Sequence, residues 1–490
     1  MIFELAKQIN MITFITSIIL LIIGYLTYGK FVDRFFNASS KNITPANRLA
    51  DNVDFKVLKP WKIFIIQFLN IAGLGPIFGA ILGAAYGPVA YIWIVFGCIF
   101  MGAVHDYFSG MMSIRNDGKS LPELVGKYLG NPVRILMTIF TVILLLAVGS
   151  SFVKGPAGLL QHLTNSKEII WLSIIFVYYI IATLLPIDKI IGNIYPYFGA
   201  FLFFMAIAIF AALIFKGFNG SLNLIELTPA TFHNFHADPS NNILVPMLFI
   251  VISCGALSGF HATQSPLMAR CMSDEKYGRS IFYGAMIAEG IVALIWATAA
   301  MAYFGGPDGL NASGLAPAVI VDKICKSWLG ISGAVIAILG IVVCPITSGD
   351  TAFRSLRLIL ADSFHINQKP IKNRLIVAIP LFLAALIMCN LEFKVIWNYV
   401  GIGNQALACF TLWTGAAYLK SINKSHLMLS IPATFITFIC ISYFIMAPNI
   451  AGGLHLNSSL GYTIGTIAAL ILFIYFCISH KKENKSTSAK

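Results

Sequence analysis

The sequence predicts an all-α polytopic membrane protein of about thirteen transmembrane helices, and three observations predict it. Of its 490 residues, 58% are hydrophobic and only 11% are charged, where a soluble domain carries roughly 25% charge. The apolar residues gather into long runs, each able to cross a hydrocarbon core about 30 Å thick as a helix. Lysine and arginine collect on alternate connections, as the positive-inside rule requires.

The runs lie at 9–29, 63–86, 88–113, 131–153, 168–187, 190–216, 243–265, 280–304, 329–353, 372–389, 395–419, 428–447 and 457–479. The first is weakly flanked by Glu4 and Lys7 and has no small-residue cleavage pattern after it. It is expected to be a retained span rather than a signal peptide. With the N-terminus outside, the connections 30–62, 114–134, near 189, 266–279, 354–374 and 420–427 and the tail from 480 face the cytoplasm. Only Lys7, Lys154, Lys167, Lys216, Lys323, Lys326 and Lys394 fall on the other side, which leaves 26 of the 33 basic residues inside. The net charge of +13 therefore reflects topology, and no nucleic-acid partner is expected. The tail HKKENKSTSAK reads as a cytoplasmic end able to touch anionic lipid. Nine scattered cysteines without a Cys-x-x-Cys pair suggest neither a disulfide framework nor a zinc site.

The stretch NIAGLGPIFGAILGAAYGP, residues 70–88, covers most of the second run. Glycine costs a helix about 1 kcal/mol relative to alanine and proline about 3, so Gly73, Gly75 and Pro76 predict a helix broken near mid-membrane. Gly75, Gly79, Gly83 and Gly87 recur every four residues, a small-residue stripe that lets helices approach closely. The seventh run carries a second interruption at Cys254, Gly255, Ser258, Gly259, Phe260 and His261. Five spans separate the two breaks, an odd number, so units that start with them are inverted relative to each other. The expected organisation is one transmembrane domain over 1–490: an extra helix at 9–29, a first repeat at 63–216, a second at 243–419, two further helices at 428–479 and the tail at 480–490. Inverted repeats with discontinuous helices meeting at the midplane are a secondary-transporter architecture.

Ionisable groups inside spans are functional candidates by default. Asp106 in the third run, Glu289 in the eighth and Asp350 near the inner end of the ninth are the three acids; each is a candidate for proton coupling, and each also has a structural reading as a cap or packing bond. Asp350 and Arg354 stand four residues apart, which places them on one helix face; with Arg357 they are expected to form an ion pair anchoring the inner helix end. His105 is either a helix-face donor or a relay beside Asp106. Thr347 and Ser348 offer hydroxyl oxygens in loose backbone, and with the Gly73 carbonyl they make a conceivable sodium site, since hard cations take oxygen ligands. His233 and His236 in an outer loop have His-x-x-His spacing without a third ligand and are read as loop surface. No Walker, Gly-x-Ser-x-Gly or His-Glu-x-x-His motif is present, so neither nucleotide hydrolysis nor hydrolase chemistry has its usual signature. The chain is expected to be no enzyme and to need no cofactor.

NIAGLGPIFGAILGAAYG, GCIFMGAVHDYFSGMMSIRNDGKSLPELVGKYLG, CGALSGFHA, YGAMIAEGIVALI, DTAFRSLRLILAD and GIGNQALA together resemble the carbon starvation protein A (CstA) family, through most of the chain and in order. The resemblance implies a bacterial inner-membrane transporter similar in kind to the amino acid, polyamine and organocation superfamily. It implies uptake of peptides or of pyruvate during nutrient limitation. Carried over by position, the family's pattern falls on Gly73, Gly75 and Pro76, on Asp106, on Ser258, Gly259, Phe260 and His261, on Glu289, on Asp350 with Arg354 and Arg357, and on Asn404 and Gln405. The chain is shorter than the large family members and has His105 where many carry an amide, so substrate choice need not transfer. The expectation is a symporter resembling the leucine-transporter fold. Its substrate would be pyruvate or a short peptide, bound by Gly73, Gly75, Pro76, Ser258, Gly259, His261, Asn404 and Gln405. Protons would be the coupling ion, with sodium the alternative. A nutrient sensor that binds without transport is the reading from another class, although the longest inner stretch leaves little room for an output domain.

Overall fold

The structure, a computed structural model, describes residues 11–51, 54–184, 195–222, 224–368 and 370–479. The Glu4 and Lys7 flank, the connection near 189 and the tail from 480 lie outside the described residues. Among the described residues the regular elements are helical. The main ones are α1 (Ile12–Phe36), α2 (Pro60–Ala72), α3 (Gly75–Ala84) and α4 (Val89–Arg115), then α5 (Asn131–Thr164), α6 (Glu168–Leu184) and α7 (Tyr195–Phe218). The second half holds α8 (Leu244–Val251) and α9 (Gly259–Ala269), α10 (Glu275–Tyr303), and α11 (Pro317–Ser363), α12 (Ile371–Met388), α13 (Phe393–Ser421), α14 (Leu427–Met446) and α15 (Ser458–Ser479).

Among the described residues, eight helices are long and apolar enough to span a membrane, or ten if each of two bent pairs counts as one span. The thirteen predicted spans are therefore not reached among the described residues on length and composition. The run 168–187 is described as a helix of 17 residues that ends at the boundary of the described residues. The run 243–265 divides into the half-helices α8 and α9. The run 395–419 lies in α13, 29 residues long but diluted by Asn398, Asn404, Gln405 and three glycines. The ninth run belongs to a longer helix, α11, interrupted at Gly330, whose φ of 67° and ψ of −179° are not helical.

The outermost helices expose rows of apolar side chains. Ile471, Ile474 and Ile478 of α15 are 62%, 54% and 71% exposed, and Ile22, Ile23 and Leu26 of α1 are similarly bare. Apolar surface on that scale is stable only against lipid, and the chain is a multi-pass membrane protein. By contrast α10 is almost wholly buried and packs against both α2 and α3. At the N-terminal end of α1, the Glu226 carboxylate accepts from the backbone N–H of Ile12 (2.9 Å) and Thr13 (2.6 Å). It thereby satisfies donors that a helix start leaves free. Arg115 at the C-terminal end of α4 pairs with the buried Glu275, whose other oxygen also accepts from Asn42 Nδ2 at 2.8 Å.

The break in the second span forms where the sequence places it. Pro60 fits the first helical position of α2, where its missing N–H costs nothing. The helix stops at Gly73, at φ 46° and ψ −131°, a backbone state that favours glycine. After Leu74 the chain re-enters as the π-helical turn Gly75–Gly79, and α2 and α3 meet at 52°.

Candidate functional site

The two broken segments cross each other, and small residues make that crossing sterically possible. A Cβ on Gly75 would lie 1.9 Å from Cβ of Cys254, and one on Gly83 would lie 2.2 Å from Ile252 Cδ1. A Cβ on Gly79 would stand 3.0 Å from the Val251 carbonyl oxygen, and one on Gly255 would come within 3.9 Å of Pro76 Cα. The glycine stripe read from the sequence as a packing surface is thus the surface on which the second break lies. Gly102 of α4 completes the contact, since a Cβ there would stand 2.2 Å from the Ala256 carbonyl oxygen.

Breaking a helix inside a membrane frees backbone groups that must find partners in the protein. Trp93 Nε1 donates to the Ile252 carbonyl at 2.9 Å. Gln405 Nε2 donates to the carbonyls of Phe249 (2.8 Å) and Leu257 (3.2 Å), one on each side of the gap. Asn404 Oδ1 accepts from the N–H of Phe260 at 3.2 Å, in the first turn of α9. On the first break, Ser348 Oγ donates to the Leu69 carbonyl at 2.9 Å and to its own helix at Cys344 (3.0 Å). The described hydrogen bonds of Asn404 and Gln405 thus go mainly to holding the seventh span open. Gln405→Leu strands two buried carbonyls at about 1–3 kcal/mol each, so its expected effect is a lowered apparent Tm in detergent, checked by thermal unfolding of the purified variant.

Against this crossing the structure places Asp106, His105, His261 and Glu289, all fully buried. His105 Nδ1 lies 2.8 Å from Asp106 Oδ1, and His261 Nδ1 lies 2.9 Å from Asp106 Oδ2. On the far side of the His261 ring, Nε2 is 3.5 Å from Glu289 Oε2, within ion-pair reach yet without a hydrogen bond. Helices α4, α9 and α10 each supply one member of this chain, carboxylate to imidazole to carboxylate. An ionised Asp106 accepts a bond from each Nδ1–H, which in a neutral imidazole leaves Nε2 of His261 as an acceptor facing Glu289. An imidazole so held can receive a proton on one nitrogen and release one from the other.

Asp350 is not part of that chain. It accepts a bond from the Tyr195 hydroxyl of α7, and Tyr178 Oη stands 3.5 Å from Tyr195 Oη. The expected ion pair does not close: among the described residues no ion pair within 4 Å joins Asp350 to Arg354 or Arg357. Arg354 Nη2 instead donates to the Ala182 carbonyl at 2.9 Å, and Arg357 bonds Gln368. All three sites share a helix, but the neighbours on α6, α7 and the 364–368 turn offer shorter routes than a pairing along its own face.

Of the residues read as a sodium site, Ser348 reaches the first break through Leu69, while the Thr347 hydroxyl donates to carbonyls of its own helix, Cys344 at 2.7 Å and Val343 at 3.1 Å. His233 and His236 lie in the loop between α7 and α8, bonded to Ala230 and Asp238. A reading confined to charged side chains passes over three amides at the same crossing: Gln67 and Asn70 on α2 and Gln264 on α9, each fully buried. Their signal in the sequence is an amide within one or two turns of a helix break, inside an otherwise apolar run.

Comparison with known proteins shows what the chain as a whole is similar to. A relative in Haemophilus influenzae described as an uncharacterized membrane protein is 45% identical over 351 residues, covering 62% of this chain and 94% of its own. The peptide transporter CstA of Bacillus subtilis is 25% identical over an alignment that covers 95% of each chain. The pyruvate/proton symporter BtsT of Escherichia coli is 25% identical over 346 residues, 58% of this chain and 48% of its own. The sequence model of carbon starvation protein CstA matches residues 9–155 and 137–305, more than half of the 490 residues and including both breaks, Asp106, His261 and Glu289. The chain belongs to the carbon starvation protein CstA family.

Proposed function

We propose that this protein is a secondary transporter that imports a small carboxylate-bearing nutrient, pyruvate or a short peptide, together with protons across the bacterial inner membrane. The observation that carries the reading is the buried chain Asp106–His261–Glu289 set against the crossing of two broken helices. Backbone at Gly73, Gly75 and Pro76 and at Ser258 and Gly259 offers amide and carbonyl groups to substrate, and Asn404 and Gln405 hold that backbone in place. Glu289, when protonated, donates toward Nε2 of His261, and the proton passes across the imidazole to Asp106 as the substrate site opens inward. Asp350 anchors α11 to α7 through Tyr195. Two relatives named as a peptide transporter and a pyruvate/proton symporter support transport as the activity.

The architecture fits an inverted repeat, 63–216 against 243–419, with the N-terminus outside and the C-terminus in the cytoplasm. Its support is the odd spacing of the two breaks, their contact in space and the positive-inside charge distribution.

The test is uptake of labelled pyruvate, and separately of a labelled tripeptide, into proteoliposomes in sodium-free buffer with an inward proton gradient. Accumulation that a protonophore collapses is the expected result. Accumulation that appears only when sodium is added would replace the proton with sodium and direct attention to Gly73 and Ser348. Saturable binding without any accumulation would favour a sensor.

A further inference from the structure

Three fully buried amide side chains on α2 and α9 present oxygen atoms that no donor among the described residues meets: Gln67 Oε1, Asn70 Oδ1 and Gln264 Oε1. Unlike Asn404 and most of Gln405, they are not engaged in holding the broken backbone. The orientation of both glutamine amides is fixed by their neighbours. Ser265 Oγ donates its proton to the His261 carbonyl at 3.0 Å, so it can only accept from Gln67 Nε2, 3.4 Å away. Thr263 Oγ1 likewise donates to the Phe260 carbonyl at 2.7 Å and can only accept from Gln264 Nε2 at 2.9 Å. In each case the nitrogen is used and the oxygen is left over.

The helices place these oxygens beside the proton chain. α2 runs toward its break as α9 runs away from its own, so they are antiparallel in the inner half of the bundle. Gln67 meets Ser265, and Asn70 stands one turn nearer the break on α2. His261, Gln264 and Ser265 stand at i, i+3 and i+4 on α9 and therefore share a face. Among the described residues, the unpartnered buried atoms of α2, α9 and the proton chain are the three amide oxygens, both Glu289 oxygens, Asn70 Nδ2, His105 Nε2 and His261 Nε2. Acceptors predominate.

A buried polar group without a partner is costly enough that native proteins keep few of them, and a site built from acceptors discriminates against ligands that bring only acceptors. We infer that Gln67, Asn70 and Gln264 are substrate-binding residues that recognise a hydrogen-bond donor, an ammonium, amide N–H or hydroxyl, on the transported molecule. This rests on the crossing being the transport site and sharpens it. A ketoacid anion offers only acceptor oxygens, whereas the corresponding hydroxy acid, amino acid or dipeptide keeps the carboxylate and adds a donor. Asn70 Nδ2 remains available to the carboxylate.

The experiment is equilibrium binding to the purified full-length protein in nanodiscs, with pyruvate, lactate, alanine and dialanine as probes, run beside proteoliposome uptake of the same four compounds. At least one donor-bearing compound is expected to bind about tenfold or more tightly than pyruvate. Gln264→Leu and Gln67→Leu are each expected to shrink that ratio several-fold by weakening the donor-bearing compounds. These variants remove an unpartnered buried acceptor, so folding is expected to survive; Gln264→Met and Gln67→Met serve as second variants of closer shape. Pyruvate bound as tightly as every donor-bearing compound, a ratio unmoved by the variants, or no binding of any probe would each overturn the inference. Donor-selective binding without uptake of any compound would uphold these residues as a binding site and sink the transport reading instead.

Discussion

Glu289→Gln is expected to cut proton-driven accumulation by about 100-fold or more, the lower end of what a positioned proton-transfer group contributes, while substrate exchange between loaded vesicles and medium persists. Glutamine matches the shape of a neutral glutamate and offers a donor to His261 Nε2, 3.5 Å from the native carboxylate, but it cannot release a proton. A symporter so altered can carry substrate both ways in its loaded form and cannot complete the return step that requires deprotonation. The measurement is gradient-driven uptake against counterflow in the same proteoliposomes. Loss of both would show that Glu289 holds the structure together; retention of both would remove it from coupling. Asp106→Asn is a different perturbation. Its amide can accept from only one of the two imidazoles that now bond the two carboxylate oxygens, and its NH₂ meets the other donor head-on. That variant is expected to lose counterflow as well as accumulation, at a stability cost of about 1–3 kcal/mol for the donor left unpaired.

The contrast between these variants shows which parts of the site the sequence could disclose. Asp106 and Glu289 stand out because a charge inside an apolar run is rare, and His261 because it follows a Ser-Gly-Phe break. Their joining through one imidazole depends on the register of three helices that are 155 and 28 residues apart in sequence, which no local pattern encodes. Asp350 illustrates the opposite failure: its spacing from Arg354 permits an ion pair, yet Tyr195, one tyrosine among many in an aromatic-rich run, takes the bond. The broken second span was legible because glycine and proline act through local backbone energetics. The split of the seventh span into α8 and α9 was legible for the same reason, from Gly255 and the Ser258-Gly259 pair. Gln67, Asn70 and Gln264 escaped because an uncharged amide raises no alarm in a charge-based reading; only the account of which buried atoms lack partners brings them forward.

Gly75→Ala is expected to abolish folding of the mature protein in the membrane, because its new methyl would occupy the position 1.9 Å from Cβ of Cys254, well inside contact distance. Both residues lie on broken backbone packed between α4 and α10, so neither segment can retreat without displacing a wall of the site. Overpacking in a core typically costs 1–3 kcal/mol, and here the clash is with a Cβ rather than with the far end of a flexible side chain. The geometry also specifies the rescue. Cys254→Gly removes both atoms that the new methyl meets, Cβ and Sγ, so the Gly75→Ala, Cys254→Gly double variant should regain membrane yield and a monodisperse elution profile. Cys254→Ala keeps the clashing Cβ and should not rescue. A Cβ on Gly259 would instead collide with main chain, the Ala408 nitrogen at 2.4 Å and the Asn404 carbonyl oxygen at 2.5 Å, and no side-chain deletion can relieve that. Gly259→Ala should therefore fail with or without a partner change. Rescue by glycine alone at 254 would establish that the two broken spans cross in contact at these residues; normal folding of Gly75→Ala by itself would show that they do not.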